Sequence, residues 1–182
     1  MNDTPASPWV TRFAGLLPAG EVLDLACGGG RHTRLLAERG HPVLALDRDP
    51  AALALAAGPG VVTLAHDLEA PGAQWPFGAG RFAGIVVTNY LHRPVLDELC
   101  ASLAPDGVLI YETFGQGNEQ FGKPSNPAFL LAPGELLALA ARSGLRVVAF
   151  EEGRVSSPKP AMVQRLCAVG PAFAPATAFI EP

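Results

Sequence analysis

The sequence predicts an α/β protein: a doubly wound sheet of seven strands, mostly parallel, closed by a C-terminal antiparallel hairpin, with helices on both faces. Three observations carry this. Short apolar runs bounded by Gly, Pro or charged residues recur along the chain, among them EVLDLA, HPVLALD, VVTLAHD, RFAGIVVTN and GVLIYETF. Segments with helical spacing separate most of these runs, which requires crossover connections and therefore parallel pairing. The last two runs, RVVAFEE and MVQRLCAVG, lie about ten residues apart, too close for a helical crossover, so they pair as a hairpin.

The elements follow in order. Ser7 suits a helix cap and Pro8 the first helical position, with Trp9, Phe13, Leu16 and Leu17 near helical spacing behind them. Residues 21–26 read as a buried strand, and 31–39 as a helix ended by Gly40. A second strand (41–47) leads to a short helix from Pro50 to Ala57, and 61–67 is a third strand. A Gly/Pro-rich loop precedes the fourth strand (81–89), a helix covers 94–103, and the fifth strand covers 107–114. After a Gly/Asn/Pro-rich segment (115–128), 133–142 is a helix with Pro133 near its start, and 146–152 and 162–170 form the hairpin. The length favours one domain: an N-terminal helix in 1–19, a core in 20–170 and an irregular tail in 171–182.

Composition excludes several classes. Apolar residues make up 49% and charged residues 16%, an ordinary globular balance. The net charge of -4 and the lack of any Lys/Arg run argue against a nucleic-acid partner. The N-terminus lacks a basic region followed by an apolar core, and the longest apolar stretch is broken by Gly58, Pro59 and Gly60, so neither a secretion signal nor a membrane span is expected. Cys27, Cys100 and Cys167 show no C-x-x-C spacing and His32, His41 and His66 no metal spacing. Buried thiols in a reducing, cytoplasmic compartment follow, with no metal site, in a monomer or homodimer.

In open α/β sheets a ligand sits beyond the carboxyl ends of the strands. Residues 28–30, Asp47, Asp67, Asn89 and Glu112 all fall on that rim. The first of these belongs to VLDLACGGGRHT (22–33). A dinucleotide turn wants G-x-G-x-x-G, and here Gly28 and Gly30 fit but Thr33 takes the third place. Asp24 sits just before the glycines, where a carboxylate repels a pyrophosphate and suits a cationic ligand. S-adenosylmethionine, with its ammonium and sulfonium, is such a ligand. Asp47 can accept two hydrogen bonds from ribose hydroxyls, and Asp67 one from an adenine amine.

VLDLACGGGRHT, LALD, HDL and the strand order together resemble a class I S-adenosylmethionine-dependent methyltransferase, with its Rossmann-like sheet, over roughly residues 20–170. The resemblance implies that Asp24, Ala26, Gly28 and Gly30 face the methionine part of the cofactor. It implies that Asp47 binds ribose, with Arg48 beside it, that Asp67 and Leu68 hold adenine, and that Asn89 lies beside the methyl group. NYLHR (89–93) and FLLAPGEL (129–136) are similar to the tellurite-resistance and thiopurine type of small-molecule methyltransferase. The chain departs from the superfamily at Ala83, where FA stands in place of the common FD. Methylation of a base amine would need an Asn/Asp-Pro-Pro-aromatic turn after the fourth strand, and cytosine C5 methylation a Pro-Cys nucleophile; neither is present.

On the acceptor side, Tyr90 and His92 are the candidate catalytic residues. His92 is either a general base or a turn residue capping the helix at Pro94. Glu112 faces either substrate or an arginine. Trp75 and Phe77 cover apolar core or adenine. Asn118, Glu119, Lys123 and Asn126 are candidates that could equally be solvated. The 115–128 segment is expected to be a lid, with Gly115, Gly117 and Gly122 as hinges and Phe121, Phe129 and Leu130 as its apolar underside. Trp9 or Phe13 is expected on the far wall of the pocket. The leading function is methyl transfer to an unidentified small-molecule acceptor. An NAD-dependent oxidoreductase, against which Asp24 and Thr33 speak, and a non-catalytic S-adenosylmethionine-binding protein are the alternatives.

Overall fold

The computed structural model describes residues 4–174. Helix α1 (Pro8–Phe13) runs into a 3-10 turn (Ala14–Leu16) and is followed by β1 (Val22–Leu25), α2 (Arg31–Glu38), β2 (Val43–Asp47), α3 (Pro50–Ala56) and β3 (Val61–Ala65). Then come β4 (Phe82–Thr88), α4 (Leu96–Ala101), β5 (Leu103–Phe114), α5 (Glu135–Arg142), β6 (Arg146–Val155) and β7 (Ala161–Val169). They form one seven-stranded sheet in the order β3-β2-β1-β4-β5-β7-β6, with β7 antiparallel to both β5 and β6. The sheet is the one the sequence predicts, hairpin included.

Alternation along the strands sorts the core into two faces. Leu23, Leu25, Leu44, Leu46, Ile85, Val87, Leu109 and Tyr111 pack beneath α4, α5 and the segment carrying Trp75 and Phe77. Val22, Val43, Val86, Val108 and Ile110 pack beneath α1 and α2. Ser7 caps α1 by accepting from the Trp9 amide, with Pro8 at the first helical position as expected. Trp9 and Phe13 are a correction: they do not wall a pocket. Both are buried against the sheet, with ring centroids 4.6 Å apart, and Trp9 Nε1 donates to the Leu166 carbonyl. An apolar stripe on a short helix gains most by facing the sheet.

No helix forms between β3 and β4. Pro71, Gly72, Pro76, Gly78 and Gly80 interrupt any helical register there. Trp75 and Phe77 pack on the core instead, Trp75 Nε1 donating to Ser102 Oγ at 2.7 Å and Phe77 lying edge-on to Phe82. The helix expected over 94–103 begins as a 3-10 turn (Arg93–Val95) and becomes α-helical only at Leu96. Strand β5 begins at Leu103, four residues early, and its pairing with β4 then shifts register between Phe82 and Gly84. Residues 171–174 have no regular structure, and 175–182 lie outside the described residues. All three cysteines are free and buried. Among the described residues no helix is long and apolar enough to cross a membrane.

Candidate functional site

The turn after β1 is built on positive φ angles. Ala26 (54°), Gly28 (52°) and Gly30 (77°) all adopt left-handed backbone. Three hydrogen bonds shape the turn: the Cys27 amide to Leu46 O (3.0 Å), the Gly30 amide to Cys27 O (3.0 Å), and the Gly28 amide to Asp47 Oδ2 (2.8 Å). The other Asp47 oxygen accepts from the Asp49 amide at 2.9 Å, and Asp49 caps α3 through the Ala51 amide. Asp47 therefore ties the glycine turn to the end of β2. A Cβ on Gly30 would come within 2.6 Å of Ala56 Cα, so glycine lets α2 begin against α3. Ala26 and Asn89 (φ 55°) are the non-glycine residues with positive φ among those described, and they end the neighbouring strands β1 and β4. Strained backbone of this kind gathers at ligand sites.

Asp24 is 1% exposed and accepts from Thr33 Oγ1 at 2.6 Å. Thr33, which stands where a dinucleotide turn has glycine, is the partner that lets a carboxylate lie under the turn. Burial pushes the Asp24 pKa up to about 6, against the opposing pull of the Thr33 hydrogen bonds and the Arg31 charge. Since the unfolded chain releases this proton near 3.8, the native state holds it alone between those values. Stability from this group is therefore lost as pH rises from about 4 to about 6, by about 3 kcal/mol. His32 has the opposite sign: burial lowers its pKa to about 3, so the unfolded chain protonates first and stability falls as pH drops below about 6.5. Asp24→Asn retains a partner for Thr33 and removes the first effect only. The melting temperature of Asp24→Asn relative to wild type should rise by roughly 6–10 °C between pH 4 and pH 7. A difference that stays flat across that range in paired thermal melts would contradict the assignment.

Two cavities meet at Ala26. One, of about 200 Å³, is lined by Leu25, Leu46, Asp47, Arg48, Asp67, Leu68 and Tyr90. The other, of about 940 Å³, is lined by Gly28, Gly29, Arg31, Thr88 and Asn89, with Thr4 of the N-terminal segment, and runs out over Arg34 and Leu55. Of the residues singled out in the sequence, Asp47, Arg48, Asp67, Leu68 and Tyr90 are thus brought together at one end and Gly28 and Asn89 at the other, with Ala26 between. Asp24 and Gly30 line neither cavity and support the turn from behind. Arg31 and Thr4 are additions that sequence reasoning missed; the only trace of Arg31 was its place just after the glycines.

Tyr90 and His92 are not brought together. Tyr90 shares its cavity with Asp47 and Asp67, and burial together with the nearby Glu69 and Asp67 carboxylates raises its phenol pKa. His92 lines a separate cavity of about 480 Å³ with Trp75, Gln74 and Glu98, on the other side of Leu68. It occupies the N-cap position of the 3-10 turn at Arg93, where its carbonyl accepts from the Val95 amide at 3.3 Å and its side chain makes no cap bond.

Glu112 faces an arginine. It accepts from Arg165 Nε and from Ser7 Oγ (2.8 Å), and Arg165 also reaches Glu151 at 3.1 Å. The segment after β5 is closed at its base by a bridge between Gly115 and Leu131. Arg93 fixes the C-terminal side of the same base, donating to the carbonyls of Ala128 (2.8 Å) and Leu130 (2.9 Å) while pairing with Glu135. Asn118 is not solvated: it is buried, donates to Pro124 O and accepts from the Met162 amide. Leu130 is buried, but Phe129 is 43% exposed and Phe121 lies under Arg154, so the expected apolar underside is incomplete.

Residues 22–107 match the family described as a methyltransferase domain. An uncharacterized methyltransferase of Synechocystis sp. is 40% identical over 81 residues, 42% of this chain and 35% of that protein, so the match spans about a third of the relative's length. Among solved structures, TehB from Haemophilus influenzae superposes with a TM-score of 0.75 at 18% identity, over 93% of this chain and 64% of that one. The 1,6-didemethyltoxoflavin-N1-methyltransferase of Burkholderia thailandensis, crystallised with 1,6-didemethyltoxoflavin and S-adenosylhomocysteine, is 25% identical with a TM-score of 0.63, over 89% of this chain and 76% of that one. Residues 22–107 are therefore similar to the methyltransferase domain family, and the chain shares the fold of these solved methyltransferases, in line with the resemblance of VLDLACGGGRHT.

Proposed function

We propose that this chain transfers a methyl group from S-adenosylmethionine to a small-molecule acceptor. The observation that carries the reading is the pair of cavities that share Ala26 in their linings, one lined by the Asp47 and Asp67 carboxylates and the other by the glycine turn. The donor set fits the cofactor. Asp47 presents a carboxylate to ribose hydroxyls, and Asp67 with the Leu68 amide takes adenine, flanked by Arg48 and Tyr90. Ala26, Gly28 and Asn89 hold the methionine portion. Arg31 offers a guanidinium to its carboxylate, and Asp24 supplies negative charge behind the turn. When bound, S-adenosylmethionine supplies a methyl group already activated by its sulfonium. The chain's part is to hold the reacting groups in line and exclude water, which by itself removes several kcal/mol of barrier.

Tyr90 belongs, on this reading, with the nucleoside end, and His92 with the neighbouring cavity that shares Leu68. A small acceptor is supported by the toxoflavin methyltransferase among the structural neighbours. Three buried free thiols suit a reducing, cytoplasmic setting. The test is ligand stabilisation. S-adenosylhomocysteine at about 100 times its Kd should add ~2.7 kcal/mol, a rise in Tm of roughly 5–10 °C. NAD should add nothing; a rise with NAD and none with S-adenosylhomocysteine would reverse the reading.

A further inference from the structure

We infer that residues 4–7 are a strap across the amino-acid end of the cleft, and that His32 is the positioning residue that latches it there; this rests on the cofactor reading above. The N-terminal segment does not lead away from the sheet before α1. Thr4 lines the same cavity as Gly28 and Asn89. Arg31 Nη1 donates to the Pro5 carbonyl at 3.3 Å. The Ser7 amide donates to His32 Nε2 at 3.0 Å, and the Ser7 hydroxyl to Glu112 at 2.8 Å.

His32 joins three elements. It stands in the first turn of α2, bonds the strap through Nε2, and places Nδ1 3.3 Å from Thr88 Oγ1, one residue before the left-handed Asn89. Because Nε2 accepts from an amide, the ring proton lies on Nδ1 and Thr88 Oγ1 is its acceptor. Burial keeps the ring neutral, which preserves that arrangement at physiological pH. Opening the strap removes partners from a buried imidazole nitrogen and from a buried carboxylate oxygen, so the closed form is favoured. A ligand in the cleft gains its contact with Thr4 only when the strap is closed. Ligand and latch must therefore strengthen each other by the same factor.

Ser7 has φ -57° and ψ 135°, a conformation that proline adopts. Ser7→Ala and Ser7→Pro both remove the hydroxyl, but only Ser7→Pro also removes the amide that His32 accepts. Calorimetry should show S-adenosylhomocysteine binding Ser7→Pro about tenfold more weakly than Ser7→Ala, if about 1.4 kcal/mol of latch energy is coupled to binding. In wild type, S-adenosylhomocysteine should slow hydrogen exchange in the peptide containing residues 4–7, and in Ser7→Pro it should not. Equal affinities in the two folded variants overturn the latch. Should Ser7→Pro fail to fold, the wild-type exchange decides alone. Binding to wild type without slowed exchange overturns the strap and leaves the cofactor reading standing, whereas no binding at all overturns the cofactor reading and the strap with it.

Discussion

Gly30→Ala should lower the melting temperature by roughly 6–15 °C, while Gly28→Ala should leave the fold nearly intact and lose cofactor. Both glycines have positive φ, so alanine at either adds about 1–2 kcal/mol of backbone strain. The surroundings differ. A Cβ on Gly30 meets Ala56 Cα and Cβ at 2.6 Å, and backbone cannot rotate away as a flexible side chain can. Overpacking at such a site adds about 1–3 kcal/mol, which with the strain gives the larger shift in Tm. A Cβ on Gly28 meets nothing within 4 Å, because it points into the open cleft. In the proposed complex that space takes the methionine portion, so Gly28→Ala should weaken S-adenosylhomocysteine at least tenfold with a Tm loss of only a few degrees. Thermal melts and calorimetry on the pair would check this; equal Tm losses, or unimpaired binding by Gly28→Ala, would contradict it.

Asp47→Ala should reduce affinity for S-adenosylhomocysteine by roughly 10- to 150-fold. In the proposed complex the carboxylate has two tasks. One oxygen holds the Gly28 amide and the other the Asp49 amide, so the side chain shapes the glycine turn before any ligand arrives. The remaining lone pairs are then available to ribose hydroxyls, and hydrogen bonds to a charged group contribute about 1.5–3 kcal/mol. Asp47→Asn keeps one acceptor oxygen and should fall between alanine and wild type. Folded Asp47→Ala that binds S-adenosylhomocysteine as tightly as wild type would move the nucleoside to another site.

Much of this architecture is legible in the sequence because its signals are local. Short apolar runs such as VLDL and VLALD mark buried strands, Ser7 with Pro8 marks the start of α1, and the short spacing before MVQRLCAVG forces the hairpin. The rim residues Asp47, Asp67 and Asn89 follow from strand ends alone. What stays hidden is pairing across distance. Thr33 reads as a missing glycine until its hydroxyl is seen on Asp24. His32 reads as an ordinary helix residue, since its partner Ser7 lies 25 positions away. Tyr90 and His92 look like neighbours along the chain, yet Leu68, arriving from the β3 connection, stands between the cavities they line. Trp9 and Phe13 carry the same helical spacing whether they wall a pocket or fill a core, and only the position of α1 over the sheet decides.

The most direct test of the central claim is a crystal structure with S-adenosylhomocysteine. The nucleoside should lie between Asp47 and Asp67, with both ribose hydroxyls on Asp47 and the adenine against Leu68 and Tyr90. The homocysteine should extend past Ala26 over Gly28 to Asn89, its carboxylate toward Arg31. Density for the nucleoside in the cavity between Trp75 and His92, or an Asp47 carboxylate without a ribose hydroxyl within hydrogen-bond distance, would contradict the account.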